Sequence, residues 1–192
     1  MINFIHQYVD KYLPLSEIEI STLLPYLEKR QFPKKTLLVK SGEIDTYLNL
    51  VVKGVAIKYF TKDSEMVVTQ IAPEGDLICS SVSFLSRKAS IYEIKALEPT
   101  TVLSITKTNL DELLSSDQNW EKLGRLVMIE LLLQKETWGY NRVANDTSTR
   151  FLNFIKNNPE IILRVPQKII ASYLNIKQET FSRMKHLLKN NT

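Results

Sequence analysis

Six short runs rich in Val, Ile, Thr and Tyr lie between residues 31 and 105, and turn signals separate them. The turns contain Gly42, Gly54, Gly75 and Pro99, residue types that interrupt regular structure. Short strands at regular spacing are typical of an antiparallel sandwich or barrel. The sequence therefore predicts an antiparallel β-domain of one of these two kinds. Its strands are expected at 36–39, 47–52, 55–60, 66–71, 91–96 and 101–105.

Helical patterns lie on both sides of the strand array, which gives an α+β class. Before the array, the first thirty residues read as helix, with Ser16 and Glu19 in the spacing of a capping box. Pro25 is expected to break that helix. After the array, helix returns near Thr108, and a long segment without proline runs from Trp120 to about residue 145.

This long segment carries apolar side chains on too many sides for a helix that lies on one globular surface. The tripeptides 127–129 and 131–133 together cover most of the helical circumference, whereas one surface requires a single apolar stripe. More than one body must therefore bury the helix. One face is expected to lie on the strand domain, and the other to face a second copy of the chain or another domain. We predict a dimerisation helix rather than a helix that is merely buried.

The segment 167–184 meets the spacing requirements of a helix-turn-helix, in which two short helices pack at a steep angle through a tight turn. Asn175 falls at the turn, where glycine is commonest and asparagine is the next best residue for a left-handed conformation. The second helix is expected to run from about Lys177 to Leu188. The required apolar or small residues, at positions 4, 5, 8, 10, 15 and 18 of the segment, are Ile170, Ala171, Leu174, Ile176, Phe181 and Met184.

The exposed face of that second helix carries chemistry suited to DNA. Arginine can bind guanine O6 and N7, glutamine can pair with adenine, and glutamate can accept from cytosine N4. From Asp146 to the end, eight Lys or Arg residues face three acidic ones, whereas the first 145 residues are nearly neutral. A solvated basic surface would explain the charge by itself, but six matching positions together with this asymmetry favour DNA binding. The side chains on this face are Lys177, Gln178, Ser182, Arg183 and Lys185.

Cysteine, histidine and hydropathy patterns exclude several classes of protein. Cys79 is the only cysteine, so we expect no internal disulfide and no cysteine-rich zinc or iron–sulfur site. His6 and His186 lie near opposite ends, which argues against a metal site with several imidazole ligands. No stretch approaches 18 uninterrupted apolar residues, and the N-terminus lacks a signal-peptide pattern. We therefore expect a cytoplasmic protein with no metal, no cofactor and no membrane partner.

The segment 169–183, IIASYLNIKQETFSR, resembles the helix-turn-helix signature of the bacterial Crp/Fnr family of transcription regulators. Gly42-Glu43 followed by 48–55 resembles the family's first β-roll signature, and 73–76 resembles the turn before its ligand cassette. The resemblance covers nearly the whole chain. It implies a cyclic-nucleotide-binding-like jelly roll, a dimerisation helix and a helix-turn-helix domain. The expected bounds are 1–118 for the sensor roll with flanking helices, 119–145 for the long helix and 146–192 for the DNA-binding domain.

The resemblance also implies roles for single residues and partners for the chain. Gln178, Glu179 and Arg183 occupy base-reading positions, and Thr180 and Ser182 would touch the phosphate backbone. The implied partners are double-stranded DNA and a second copy of the chain, and RNA polymerase is left open as a further partner. Additional DNA contacts are assigned to Lys177, Lys185, Gln167 and Lys168.

Two features depart from the family pattern. Members that bind cyclic nucleotides hold the ribose with a glutamate and the phosphate with an arginine, but the corresponding residues here are Ser80 and Ser90. Because a buried phosphate needs a fixed cation, we expect no tight cyclic-AMP binding and another effector or none. Family members usually continue into a β-hairpin wing, most of which is missing here, so we expect fewer phosphate contacts. The candidate effector pocket consists of Ser80, Ser81, Arg87, Ser90 and Ile91.

The leading hypothesis is a homodimeric transcription regulator that binds a near-palindromic operator and is not an enzyme. A metalloenzyme of the double-stranded-roll class fails on ligands, since no histidine lies between Tyr8 and Lys185. A protein-interaction module of the same fold that has lost DNA binding is the alternative, suggested by the missing wing. The base-facing side chains argue against it.

Overall fold

The computed structural model describes the backbone of residues 2–189 and the side chains of residues 2–185. In this part of the chain an eight-stranded β-region is flanked by helices on both sides. The strands are β1 Glu28–Phe32, β2 Leu37–Val39, β3 Tyr47–Lys53, β4 Ala56–Lys62, β5 Glu65–Ala72, β6 Leu77–Ile78, β7 Glu93–Ala96 and β8 Thr100–Thr106. The helices are α1 Ile2–Val9, α2 Glu17–Leu23, α3 Ser81–Ser86, α4 Lys107–Ser116, α5 Gln118–Ala144, α6 Thr147–Asn157, α7 Pro159–Arg164, α8 Gln167–Leu174 and α9 Gln178–Lys189, with a short 3-10 turn at Leu24–Tyr26.

The strands form two four-stranded antiparallel sheets, ordered β1-β8-β3-β6 and β2-β7-β4-β5. Their inner faces bury alternate apolar residues such as Val51, Ile94 and Val102, each inaccessible to solvent. This alternation is what a strand with one face in a core requires. The prediction of an α+β chain with an antiparallel jelly-roll-like domain is confirmed.

The turn between β3 and β4 depends on a glycine. Gly54 has a φ of +96° in the left-handed region, and a Cβ there would lie 2.6 Å from the carbonyl oxygen of Pro99. Only a residue without a side chain tolerates both conditions. Two distant loops therefore meet closely at this end of the roll.

The N-terminal helices pack on the outer face of the sheet β1-β8-β3-β6. The capping box of Ser16 and Glu19 is present at the start of α2, as predicted. Ile5, Ile20 and Trp120 are buried together against β3 and β8, so that the start of α5 shares this core. The prediction of helix through the first thirty residues was wrong at its end, since β1 begins at Glu28 and pairs with β8.

The helix α5 begins after Asp117, whose side chain accepts a hydrogen bond from the backbone N–H of Asn119 and caps the helix. It runs 27 residues and leads from the roll to the C-terminal helices. Among residues 2–189, none of the helices is both long enough and apolar enough to span a membrane.

Candidate nucleic-acid interface

The turn between α8 and α9 has the geometry that the sequence predicted. Asn175 adopts φ 54° and ψ 50°, the left-handed conformation, and its N–H donates to the last turn of α8. Its side chain is the one that best tolerates this conformation after glycine. Ala171 at the fifth position is 2% exposed, which lets the two helices approach closely.

The two helices stand on a core of their own. Ile170 and Phe181 are fully buried, and the rings of Phe181 and Phe151 meet edge to face with centroids 5.1 Å apart. Leu174 is 8% exposed, while Ile176 and Met184 are partly buried against the same cluster. All six positions of the predicted pattern therefore face inward in whole or in part, and the opposite face of α9 is left to solvent.

The base-reading candidates project from this solvent face. Gln178, Glu179 and Arg183 are exposed, at the start and first turns of α9. Within the part of the chain whose side chains are described, they make no hydrogen bond or ion pair. Exposed side chains at this place can contact base edges, because the N-terminal turns of a recognition helix lie against the bases in the major groove.

The other predicted DNA contacts surround these three residues. Thr180 and Ser182 are half-buried on α9. Lys177 and Lys168 are exposed, and Lys185 and Gln167 are half-buried. Gln167 and Lys168 lie at the start of α8, where free backbone N–H groups favour an anion.

Local features of the chain begin the helices of this region. Asp146 accepts a hydrogen bond of 2.7 Å from the N–H of Thr149 and begins α6 directly after α5. Pro159 starts α7 after the break at Asn158. These breaks allow α6 to α9 to fold back as a separate group of helices.

In the predicted effector pocket, two of the five residues meet. The hydroxyls of Ser80 and Ser90 are hydrogen-bonded at 2.8 Å, and the two residues are 1% and 3% exposed. Ser81 is half-buried beside them, whereas Arg87 and Ile91 point to solvent. Arg87 ends α3 in a left-handed conformation.

Buried charges surround that serine pair. The carboxylate of Asp45, 2% exposed, accepts a 2.6 Å hydrogen bond from the N–H of Ser80. Burial raises the pKa of Asp45, although this bond and one from the N–H of Tyr47 oppose the shift. Sequence patterns gave no signal for this carboxylate, because its partners lie far along the chain.

Lys58 lies on β4 and is also buried. Its Nζ donates to the carbonyl oxygen of Cys79 at 3.0 Å and stands 5.7 Å from the ring centre of Tyr92. Burial lowers the pKa of Lys58 and raises that of the Cys79 thiol. An inert rather than a reactive cysteine is consistent with this environment.

The long helix α5 leaves much of its apolar surface uncovered. Only its first turns are buried, at Trp120 and Leu123. Farther along, six large apolar side chains are 47–89% exposed in the single chain. They are Met128, Ile129, Leu132, Leu133, Tyr140 and Val143.

The comparisons with known proteins agree with this architecture. Residues 29–117 match the cyclic nucleotide-binding domain family. FixK2 from Bradyrhizobium japonicum has a similar structure, with a TM-score of 0.72 over 86% of this chain and 85% of that chain at 19% identity. The c-di-GMP-responsive global regulator CLP of Xanthomonas campestris gives 0.70 over 92% and 93% at 14% identity. A CooA variant from Carboxydothermus hydrogenoformans gives 0.65 over 88% and 79% at 19% identity. No curated protein sequence matches the chain.

The fold and these matches define a protein with a cyclic nucleotide-binding domain, a long helix and a helical C-terminal region. A transcriptional regulator described as belonging to the crp/fnr family, from Eubacterium rectale, has the same fold, with a TM-score of 0.67 over 94% of this chain and 88% of that chain at 16% identity. The resemblance that the sequence shows is therefore confirmed at the level of the fold.

Proposed function

We propose that this chain is a DNA-binding transcription regulator that acts as a homodimer on a near-palindromic operator. The observation that carries the proposal is the exposed reading face of α9, with Gln178, Glu179 and Arg183 held out by a buried core. These three side chains match the hydrogen-bonding edges of adenine, cytosine and guanine in the major groove. No catalytic activity is part of the proposal, since the structural neighbours are regulators.

The uncovered apolar surface of α5 supports the homodimer. A symmetric pair of these helices would bury the six exposed side chains against their equivalents. Two recognition helices then reach successive major grooves, about 34 Å apart, so that the operator repeats with the symmetry of the protein.

The roll is proposed to bind no cyclic AMP tightly. Ser80 and Ser90 stand where nucleotide-binding relatives carry a glutamate and an arginine, and here they bond to each other. Ser90 supplies no positive charge to a buried cyclic phosphate, and the nearby ammonium of Lys58 already donates to the carbonyl oxygen of Cys79. Isothermal titration with cyclic AMP tests this point directly, and saturable binding in the micromolar range or tighter would contradict it.

The decisive experiment selects bound sequences from a random DNA pool at stated salt, then measures affinities for the selected and a scrambled duplex. Arg183→Ala is expected to weaken binding to the selected duplex by about 1–3 kcal/mol and to relax one base position. Arg183→Lys keeps the charge but loses the two-pronged contact to guanine, so it should show the same loss of preference. Lys185→Ala should instead weaken both duplexes equally.

Equal losses on both duplexes for Arg183→Lys would contradict base reading by this residue. The alternative function, a protein-interaction module of this fold, predicts that no sequence is enriched from the pool. The exposure of all three base-reading candidates favours the DNA-binding function.

A further inference from the structure

The helix-turn-helix rests on the roll of its own chain. The hydroxyl of Ser172 on α8 donates to the carbonyl oxygen of Met66 at 2.8 Å and accepts from the N–H of Val68 at 3.0 Å. Both backbone groups belong to β5, which is an edge strand of its sheet. A free strand edge offers unpaired N–H and C=O groups. One serine hydroxyl occupies such a pair here.

A second contact lies at the end of α7. Both terminal nitrogens of the Arg164 guanidinium donate to the carboxylate of Glu74 at 2.8 Å, and one also pairs with Glu98. Glu74 and Glu98 belong to different turns of the roll, so Arg164 holds two loops at once. The hydrogen bonds from Arg164 lower the pKa of Glu74 to about 2.

Apolar packing fills the space near these polar contacts. Ile169 and Tyr173 on α8 pack against a buried cluster of Ile57, Tyr59 and Val68 on β4 and β5. The docked surface therefore combines apolar packing with polar contacts. The base-reading side chains of α9 stay exposed in this arrangement.

We propose that Arg164 and Ser172 are positioning residues for DNA reading. Their contacts with the roll fix where each helix-turn-helix stands, and the contact of α8 with β5 sets the separation of the two reading helices in the dimer. This inference rests on the proposed function. A helix-turn-helix that is docked on the roll has already lost orientational freedom, whereas one that is only tethered by the chain must lose it on binding DNA. Docking therefore raises the affinity for an operator of matched spacing.

If these contacts position the helix-turn-helix, removing their carboxylates should change the affinity for DNA in the opposite direction to that expected from charge alone. Glu74→Gln combined with Glu98→Gln removes two negative charges, which by charge alone would strengthen binding to DNA. If these carboxylates hold the helix-turn-helix in place through Arg164, their removal weakens binding to the selected operator instead. The same loss is not expected on an operator fragment that carries a single half-site, where spacing has no role.

The test uses the full chain and combines amide exchange by NMR with affinity for the selected operator. Ser172→Ala should speed exchange of the Val68 amide and weaken operator binding by about tenfold. Ser172→Thr, which keeps a hydroxyl, should restore both. Lys156→Ala, an exposed residue of α6 away from these contacts, is the control and should leave the exchange of Val68 unchanged.

The outcomes separate the contact from the function. Unchanged Val68 exchange in Ser172→Ala overturns the docking contact itself. Faster exchange with unchanged operator affinity, or stronger binding by the double glutamine variant, overturns the positioning role while the proposed function stands. If the wild-type protein enriches no sequence from the pool, the proposed function and the positioning role fail together, whatever the exchange of Val68 shows.

Discussion

Replacing Leu132 by alanine should weaken the homodimer by a measurable and calculable amount. Leu132 lies in the middle of α5 and is 59% exposed in the single chain. Full burial of a leucine side chain stabilises by about 1.5–3 kcal/mol, so burial of the exposed part is worth roughly 1–2 kcal/mol for each protomer. The symmetric dimer contains this side chain twice, which gives about 2–4 kcal/mol, or roughly a 30- to 900-fold change in the dimer dissociation constant.

Sedimentation velocity over a dilution series measures that constant. Leu85→Ala is the matched control, because Leu85 is 51% exposed but lies on α3 of the roll. If both variants dimerise as tightly as the wild-type protein, or if the wild-type protein is monomeric at tens of micromolar, the assignment of α5 as the dimer helix is refuted. Loss of the dimer should also lower operator affinity, since one recognition helix contacts only half of the site.

Three further predictions concern the fold. Gly54→Ala should destabilise the chain by about 2 kcal/mol more than Gly42→Ala in urea unfolding, because both glycines have positive φ but only Gly54 has backbone within contact distance; equal losses would exclude the steric cause. Asn175→Ala should cost about 1 kcal/mol in the same measurement while Asn175→Gly costs nothing, and equal stabilities would argue against left-handed strain at this turn. Because the pKa of Glu74 is lowered, its ion pair stabilises the fold at pH values above 4.5, and this stabilisation is lost as the pH falls from about 4.5 to about 2. Arg164→Gln should remove this part of the acid dependence of the free energy of unfolding, and an unaltered acid dependence in that variant would contradict the prediction.

Sequence reasoning succeeded where the determining contacts are local. The helix-turn-helix depends on residues within eighteen positions of one another, and the residue type at each position decides its role. Asn175 adopts the left-handed conformation of the turn, and Ala171 is small and buried. The capping box at Ser16 involves residues only three positions apart. Signals of this kind survive without knowledge of the tertiary fold.

Two strands were missed for physical reasons. The strand β1, Glu28–Phe32, is an edge strand whose five residues are half-buried or exposed, and it includes three charged side chains. Such charge protects an edge from pairing with another chain and removes the apolar alternation that marks a strand. The strand β6 has only two residues, too few to show any period.

The docking of the helix-turn-helix on the roll could not be predicted from the sequence. Arg164 lies 90 residues from Glu74 and 66 from Glu98, and Ser172 lies 104 from Val68. In the sequence, Arg164 was only one of eight basic residues in a charge asymmetry. Ion pairs across such separations are set by the packing of whole domains, which no local pattern encodes.

The turn that contains Glu74 lies between the helix-turn-helix, which it contacts through Arg164, and the serine pair of the roll. Besides binding Arg164, the Glu74 carboxylate accepts a 2.7 Å hydrogen bond from the N–H of Gly54, and the chain then passes through β6 to Ser80. A ligand that entered the roll at the serine pair would have to separate Ser80 from Ser90 and so displace the segment that follows this turn. Under the proposed positioning role, such a displacement would act on the helix-turn-helix through Arg164, beside the separate contact of Ser172 with β5. A ligand shifts this equilibrium only by its difference in affinity for the docked and undocked states, so an effector of this chain must bind one of those states better.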